Sequence, residues 1–181
     1  MPLTSTWDPV VKLLNDKISV IPIRDKDEED NGVLYLRKSP FKSWKRFQTE
    51  MITKEELWFL LEKYNTTAIA TICGKISGNL EAIDIDVKWM AGIDTQLFSE
   101  IKSLLPDVWN RLRIHQSPSG GFHILYRAEG GVIPGNRKIA SRPSTEAEID
   151  KELKDNPDAK ASKFKCFIET RGEGGYVASP P

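Results

Sequence analysis

The sequence has few cysteines, no net charge and no long apolar run. Its 181 residues include two cysteines, Cys73 and Cys166, which lie far apart inside strand-like segments, so neither a disulfide framework nor a zinc site is expected. Lys and Arg together number 26, as do Asp and Glu, and this balance argues against a protein that coats DNA by positive charge alone. No stretch approaches the roughly 18 apolar residues of a membrane-spanning helix, and the first residues do not resemble a secretory signal. We therefore expect a cytoplasmic protein with two buried, reduced thiols and no membrane partner.

The apolar pattern predicts a single α+β domain over residues 1–181. Helices are expected after Asp8, after the capping-box sequence that starts at Thr53, and before Pro106. Strands are expected over residues 18–23, 67–73, 80–87, 111–116, 121–127 and 164–170. Helices and strands do not alternate strictly, and residues 111–127 have the pattern of a hairpin. An α+β fold is therefore favoured over a doubly wound parallel sheet.

Three polar segments separate the apolar ones. Residues 25–30 contain five acids and one Lys, which is typical of a solvated loop. Residues 37–46 have the opposite charge, with several Lys and Arg, no acid, and the aromatic side chain of Trp44. Residues 141–163 are polar and poor in apolar side chains, and we expect an insertion there that forms a surface helix or is partly mobile. The last residues have the pattern of a strand followed by a linker, so the chain is expected to be the N-terminal part of a longer protein.

The strand predicted over residues 80–87 carries two acids in an otherwise apolar run. Side chains alternate between the faces of a strand, so Asp84 and Asp86 share one face while Ile83 and Ile85 share the other. The two carboxylates would lie roughly 6.5–7 Å apart, and unpaired charges in such a run are costly. A divalent cation such as Mg²⁺ or Mn²⁺ removes that cost, because these ions take carboxylate oxygens and commonly hold phosphates as well. The alternative is an edge strand whose polar face meets water.

Two further segments carry polar groups suited to phosphate chemistry. Ser119 and Gly120 lie in a turn whose hydroxyl and backbone N–H groups suit a phosphate, and His123 follows on the next strand. Glu169 and Arg171 share a face of the last predicted strand, next to a glycine-rich turn. Each feature also has a structural interpretation, namely a buried structural His and a surface ion pair. Together with the acid pair, they supply the groups needed for phosphoryl transfer with divalent metal.

The order of these motifs resembles the bifunctional DNA primase/polymerase (prim-pol) family of the archaeo-eukaryotic primase superfamily. The matching motifs are Asp84-x-Asp86, then Ser119-Gly120-x-x-His123, then Glu169 followed by a glycine-rich strand that ends in Pro-Pro. Upstream, residues 18–22, residues 38–40, the Ser43-Trp44 step and the turn at 74–78 also resemble this domain. The similarity spans roughly residues 8–181.

The resemblance implies a fold, an activity and partners. The fold is a prim-pol fold, in which an antiparallel or mixed catalytic sheet like that of RNA-recognition domains is joined to an N-terminal α/β unit and flanking helices. The activity is template-directed nucleotidyl transfer in DNA replication, for example that of a mobile element. Its partners are nucleoside triphosphates, a single-stranded DNA template with a primer, and a helicase that is either separate or joined at the C-terminus.

The resemblance also implies roles for individual residues. The catalytic and metal-binding residues would be Asp84, Asp86 and Glu169, with two ions of Mg²⁺ or Mn²⁺. The nucleotide-binding residues would be Ser119, Gly120, His123 and Arg171. Independently, the basic segment predicts template contacts at Lys38, Trp44 and Lys45 through charge and stacking, with a solvated loop and one buried Trp as the alternative.

Two other functions fit part of the pattern. A metal-dependent nuclease would use paired acids on one strand and another acid on a second strand. However, Lys is expected in a nuclease where Arg171 stands, and that chemistry leaves Ser119 and His123 unused. A degenerate, non-catalytic domain of the prim-pol type would bind nucleic acid, nucleotide or a partner, and the intact set of three acids argues against it.

Overall fold

A computed structural model gives the fold of residues 8–30, 32–41, 44–117, 119–155 and 161–179. Its helices are α1 (Asp8–Asn15), α2 (Lys54–Lys63), α3 (Ile93–Leu104), α4 (Pro106–Trp109) and α5 (Glu146–Asp155). Its strands are β1 (Val20–Pro22), β2 (Glu28–Asp30), β3 (Val33–Tyr35), β4 (Ile69–Ile72), β5 (Leu80–Ile85), β6 (Arg113–Gln116), β7 (Phe122–Arg127), β8 (Arg137–Pro143), β9 (Phe164–Arg171) and β10 (Tyr176–Ser179). Two short 3₁₀ helices span Trp44–Gln48 and Lys75–Ser77. No helix within these ranges is both long and apolar enough to cross a membrane.

Local sequence signals set the helix boundaries. The hydroxyl of Thr53 accepts a hydrogen bond of 3.1 Å from the backbone N–H of Glu56, which is the cap that the sequence predicts for α2. Helix α3 ends at Leu104 and α4 begins at Pro106, since proline has no N–H to continue the first helix but is well suited to the first turn of the second. The expected α+β class is confirmed, because helices are combined with sheets whose strand pairs are antiparallel.

A five-stranded sheet in the order β6-β7-β5-β9-β8 forms one layer, and every neighbouring pair in it is antiparallel. A second sheet has the order β1-β4-β10, so the unit expected at the N-terminus takes its third strand from the other end of the chain. The main core lies between these layers. It combines buried residues of α1, α2 and the three-stranded sheet with Leu80, Ala82 and Leu125 of the larger sheet.

This packing explains where polar groups are tolerated. Leu80 and Ala82 lie on the same face of β5 as Asp84, because alternate residues of a strand share a face. The first two are buried against the three-stranded sheet, with exposed fractions of 3% and 0%. Asp84 is only partly buried. The same face therefore changes from core to cavity wall along the length of β5.

Four expectations from the sequence need correction. The acidic segment 25–30 is not all loop, because Glu28–Asp30 pairs with Val33–Tyr35 as a hairpin through backbone hydrogen bonds that the side-chain pattern does not report. The strand predicted over residues 80–87 ends at Ile85, so Asp86 follows the strand instead of belonging to it. Cys73 is buried, but Cys166 is only partly so. The edge strand β8 is absent from the predicted strands because most of its residues are exposed and its sequence has no apolar run.

The segment 141–163, for which an insertion is expected, begins with the end of β8 and then contains α5. Arg142 and Glu148 join these two elements through two hydrogen bonds of 2.7 and 3.0 Å. The basic segment is described except for Lys42 and Ser43, and Pro118 of the serine turn also lies outside the described residues.

Candidate active site

One row of side chains crosses the whole five-stranded sheet. The register places Asp84 of β5 directly opposite His123 of β7 on one side and Glu169 of β9 on the other. His115 of β6 lies opposite His123, and Lys138 of β8 lies opposite Glu169. Residues directly opposite in antiparallel strands have side chains on the same face. Three residues that come from separate sequence motifs are therefore neighbours in a single row, namely His123, Asp84 and Glu169.

Arg171 lies between the two acids of this row. Its guanidinium donates a hydrogen bond of 3.2 Å to Oδ2 of Asp84 and also forms a short ion pair with Glu169. On the other side, Nε2 of His123 lies 3.5 Å from Oδ1 of Asp84. Burial alone would raise the pKa of Asp84, but its contacts with His123 and Arg171 outweigh burial and hold the pKa below the usual range. The Asp84 side chain is therefore a carboxylate at neutral pH.

Asp86 lies just beyond β5 and still faces the same cavity. Its backbone N–H donates to the carbonyl of Phe167 at 2.9 Å, which keeps the chain alongside β9 for one more residue. One carboxylate oxygen of Asp86, Oδ2, lies 2.8 Å from Nζ of Lys88. The other, Oδ1, is buried and has no hydrogen-bond partner among the described residues. An uncompensated buried carboxylate oxygen is costly, and a cation is the partner that its chemistry suits.

A cavity of about 600 Å³ collects most of the residues predicted from the sequence. Those that line it are Lys38, Trp44, Asp84, Asp86, Ser119, His123, Glu169 and Arg171. Two predicted residues do not line it. Gly120 lies in the adjoining turn with a φ of +87°, and Lys45 is exposed on the 3₁₀ helix beside the cavity.

The serine turn forms one rim of this cavity. The hydroxyls of Ser117 and Ser119 lie 3.1 Å apart, and Nζ of Lys38 donates a hydrogen bond of 3.2 Å to the Ser119 hydroxyl. Burial and the charge of Arg37 lower the pKa of Lys38, against the opposite effect of the acids in the cavity. A Cβ on Gly121 would lie 2.1 Å from the carbonyl oxygen of Ile85, so only glycine allows the turn to lie this close to β5.

The structure adds site residues beyond those that the sequence indicates. His115 contacts His123, with 3.0 Å between Nε2 of His115 and Nδ1 of His123. Gln48 and Asn136 hold the glycine-rich turn after β9: the amide of Gln48 donates to the carbonyl of Gly174 at 2.6 Å, and Oδ1 of Asn136 accepts from the N–H of Gly172 at 3.2 Å. The sequence offers a signal only for His115, through the register of the hairpin that contains it.

Trp44 forms a wall shared by two cavities. Its ring packs edge-on against Tyr176 with 5.3 Å between the centroids. On its other side lies a second cavity of about 440 Å³, whose lining includes four more aromatic side chains, Phe41, Phe47, Phe59 and Tyr64. Phe59 is 62% exposed at this cavity. Trp44 is thus partly buried and lines both cavities, and its contact with a template stays a prediction.

The described residues do not contain a preformed cluster of three or more His, Cys, Asp or Glu side chains that could hold one metal ion. The position of Arg171 accounts for this, because its guanidinium separates Asp84 from Glu169. The residues nevertheless suit a divalent ion, since the cavity holds three carboxylates and one of them has a buried oxygen without a partner.

Comparison with known protein families gives a match that covers nearly the whole chain. The model of the N-terminal domain of bifunctional DNA primase/polymerases matches residues 11–181. A comparison with curated proteins gives no significant match. The match includes both sheets and every residue of the row across the larger one. The chain therefore belongs to the bifunctional DNA primase/polymerase family, as the order of its motifs predicts.

Proposed function

We propose that this domain catalyses template-directed nucleotidyl transfer as a DNA primase/polymerase in DNA replication. The observation that carries the proposal is the row of His123, Asp84 and Glu169 at the floor of a cavity whose rim holds Ser119 and Lys38. Carboxylates on the floor and cationic or hydroxyl groups on the rim are the two sets of groups that a nucleoside triphosphate and its metal ions need. Membership of the family supports the same activity.

Asp84, Asp86 and Glu169 would hold the divalent ions, Mg²⁺ or Mn²⁺, of which two are expected. When bound, such ions lower the pKa of an attacking hydroxyl and neutralise charge on the triphosphate. The ionised state of Asp84 at neutral pH and the unpartnered oxygen of Asp86 support these assignments. Arg171 would leave its place between the acids and turn towards the phosphates, which keeps the charge in the cavity balanced.

The rim groups would bind and orient the incoming nucleotide. The Ser119 hydroxyl, the backbone of Gly120 and the ammonium of Lys38 would contact the β- and γ-phosphates, and His123 would donate from Nε2. In the reaction, the 3′-hydroxyl of a primer or of an initiating nucleotide gives up its proton to solvent, and its oxygen bonds to the α-phosphorus. The bond from that phosphorus to the bridging oxygen breaks, and pyrophosphate leaves with the electron pair.

The template strand would pass over Trp44. Lys38, which lines the same cavity as Trp44, and the exposed Lys45, which follows Trp44 in the chain, would supply positive charge, and the second, aromatic cavity at Trp44 would offer further stacking surface for unpaired bases. Phe59 and Lys63 also line this second cavity. The ring of Phe59 is exposed, and the ammonium of Lys63 lies 6.0 Å from the centre of that ring. Lys38 would serve the nucleotide more directly than the template, because it already contacts Ser119.

The proposal is tested by extension of a labelled primer on a single-stranded template with dNTPs and Mg²⁺ or Mn²⁺. The variant D84N/D86N removes two negative charges with little change in shape, and D107N, at an exposed acid on α4, is the matched control. We expect extension by the wild type and by D107N and at least a 100-fold slower rate for D84N/D86N. Metal-dependent shortening of the primer without dNTPs would instead identify a nuclease. Nucleotide binding without extension would identify a non-catalytic domain.

A further inference from the structure

Strand β8 ends the row of side chains across the sheet with a cation. Lys138 of β8 lies directly opposite Glu169 of β9, so its side chain is on the sheet face that carries Asp84. Side chains opposed in this way have their Cβ atoms about 5 Å apart. Lys138 is exposed, and no described residue forms an ion pair with it, since Glu169 is paired with Arg171. The row therefore ends in an exposed ammonium next to one of the acids.

The strand that carries Lys138 is basic and forms an edge of the sheet. It contains three cationic side chains and no acid. Arg142 is engaged, because its guanidinium pairs with Glu148 and donates a hydrogen bond of 2.7 Å to the backbone carbonyl of Trp89. Arg137 and Lys138 are exposed and have no such partner in the part of the chain that the structure describes. A chain without net charge thus has a local positive surface beside the cavity.

The geometry of the proposed reaction indicates what approaches this edge. In the strand order β6-β7-β5-β9-β8, the turn with Ser119 joins the two strands on one side of β5, while β9 and β8 lie on its other side. The proposed function puts the β- and γ-phosphates at this turn, so pyrophosphate leaves on the β7 side. The attacking and leaving oxygens stand roughly in line at the transferred phosphorus. The attacking 3′-hydroxyl therefore comes from the side of β9 and β8, together with the end of the primer strand.

We propose that Lys138 is a primer-binding residue whose ammonium contacts the last phosphodiester of the primer. This phosphate is the negative charge of the primer nearest to its 3′-hydroxyl, and a lysine is a flexible point charge suited to it. The template has its own proposed surface at Trp44, so Lys138 recognises the primer strand. The inference deepens the proposed function and rests on its assignment of the triphosphate to the turn with Ser119.

Equilibrium binding tests Lys138 without turnover. The domain is titrated, in Mg²⁺ and without dNTP, against a fluorescent template strand that is either single-stranded or annealed to a primer. For K138Q we expect the Kd of the primed DNA to rise about 3- to 10-fold and the Kd of the single strand to stay within about twofold of wild type. K138R keeps the charge, and we expect it to bind both DNAs as the wild type does.

Two further measurements separate a phosphate contact from a general loss of charge. The matched control is K102Q, because Lys102 is exposed on α3, a helix whose Ile101 lines a cavity together with Ile83 on the opposite face of the sheet. We expect K102Q to bind both DNAs as the wild type does. For primed DNA, K138Q should lower the slope of log Kd against log salt by about 0.9, the value for one phosphate contact.

A neutral linkage in the primer identifies the phosphate itself. An uncharged methylphosphonate at the last linkage should weaken binding to the wild type about as much as K138Q does. It should weaken binding to K138Q no further, because both changes remove the same contact. The same replacement at the 5′ end of the primer should affect the wild type and K138Q equally.

Three results would overturn the proposal. The last neutral linkage could weaken the wild type and K138Q equally, or K138Q could weaken the single strand as much as the primed DNA. K138Q could also leave both DNAs unaffected, as expected if Lys138 only keeps the edge of β8 from pairing with another sheet. A domain that binds as expected but does not extend the primer would leave Lys138 as a primer contact and refute the proposed function.

Discussion

Replacing Arg171 by Gln tests whether this guanidinium holds the place of a cation between two acids. Asp84 and Glu169 lie directly opposite each other on adjacent strands, and Arg171 forms ion pairs with both. All three side chains are between 23% and 30% exposed, so water screens them only partly. Without the guanidinium, two like charges face each other across the sheet, which is an unfavourable cross-strand pair.

The size of the effect follows from the separation. Side chains directly opposite in an antiparallel pair are about 5 Å apart, and two unit charges at that distance repel by about 3 kcal/mol at an effective dielectric constant of about 20. Rotation of the carboxylates away from each other and their remaining hydration reduce this, so we expect R171Q to lose about 1–3 kcal/mol of unfolding free energy. For a domain of this size the midpoint of thermal unfolding should fall by about 3–10 °C.

Thermal unfolding in EDTA measures the repulsion between the two acids, and unfolding with Mg²⁺ or Mn²⁺ measures how far Arg171 competes with a bound ion. At a concentration 100 times its Kd, an ion that binds only the folded state adds about 2.7 kcal/mol. It has to displace Arg171 in the wild type but not in R171Q, so the variant should gain more from the ion. The matched control is R142Q, because Arg142 is 31% exposed and pairs with Glu148 outside the cavity. We expect R142Q to unfold close to the wild type in EDTA, because an ion pair in contact with water contributes little, and to show no dependence on metal.

Two results would refute this reasoning. R171Q could be no less stable than R142Q in EDTA, in which case the two acids do not repel each other appreciably. Alternatively, the ion could raise the unfolding temperature of wild type and R171Q equally, in which case Arg171 does not occupy the space that the ion needs.

Three further predictions concern the serine turn, the aromatic cavity and acid stability. Gly121→Ala should destabilise the domain by several kcal/mol in urea denaturation, because its Cβ would lie 2.1 Å from a backbone carbonyl oxygen. Gly120→Ala, whose Cβ would have nothing described within 4 Å, should lose only about 1–2 kcal/mol because of its positive φ. Equal losses of stability in the two variants would contradict this prediction. Phe59→Ala should weaken binding of a single-stranded oligonucleotide about 5- to 150-fold by anisotropy, and Phe164→Ala, which removes a similarly exposed ring, should leave it unchanged. Burial lowers the pKa of His115 in the folded state from its ordinary 6.5 to about 4, so between these pH values the unfolded chain binds one proton more than the folded chain. The free energy of unfolding therefore falls as the pH drops from about 6.5 to about 4. The urea midpoints at pH 7 and pH 5 should differ more in the wild type than in His115→Gln.

The sequence predicts most of the cavity but not the contacts within it. Alternation along a strand is sufficient to place Asp84 on one face, and the resemblance to the family adds His123 and Glu169. The resemblance assigns Arg171 to the nucleotide, whereas the structure places its guanidinium between two of the acids. That arrangement depends on the pairing of β5 with β9, whose residues are more than 80 positions apart in the chain. Strand alternation within one segment carries no information about such a pairing.

His115 shows how far the sequence can lead once a turn is known. In an antiparallel hairpin the sequence numbers of opposed residues have a constant sum, and β6 and β7 are joined by a turn that closes with a hydrogen bond from the N–H of Ser117 to the carbonyl of Gly121. Once that turn is fixed, His115 has to lie opposite His123. The apolar pattern predicts the hairpin but leaves its register open, so by itself it does not identify the second histidine.

The site lies where one face of β5 passes from the core to a cavity. Along β5, Leu80 and Ala82 belong to the core cluster that also contains residues of the three-stranded sheet, whereas the next residue on that face, Asp84, lines the cavity. The strand that forms this border is β10, and its residues Tyr176–Ala178 line the cavity wall. The acids thus gain partial burial, which strengthens their attraction for a cation, without the full cost of removing a carboxylate from water.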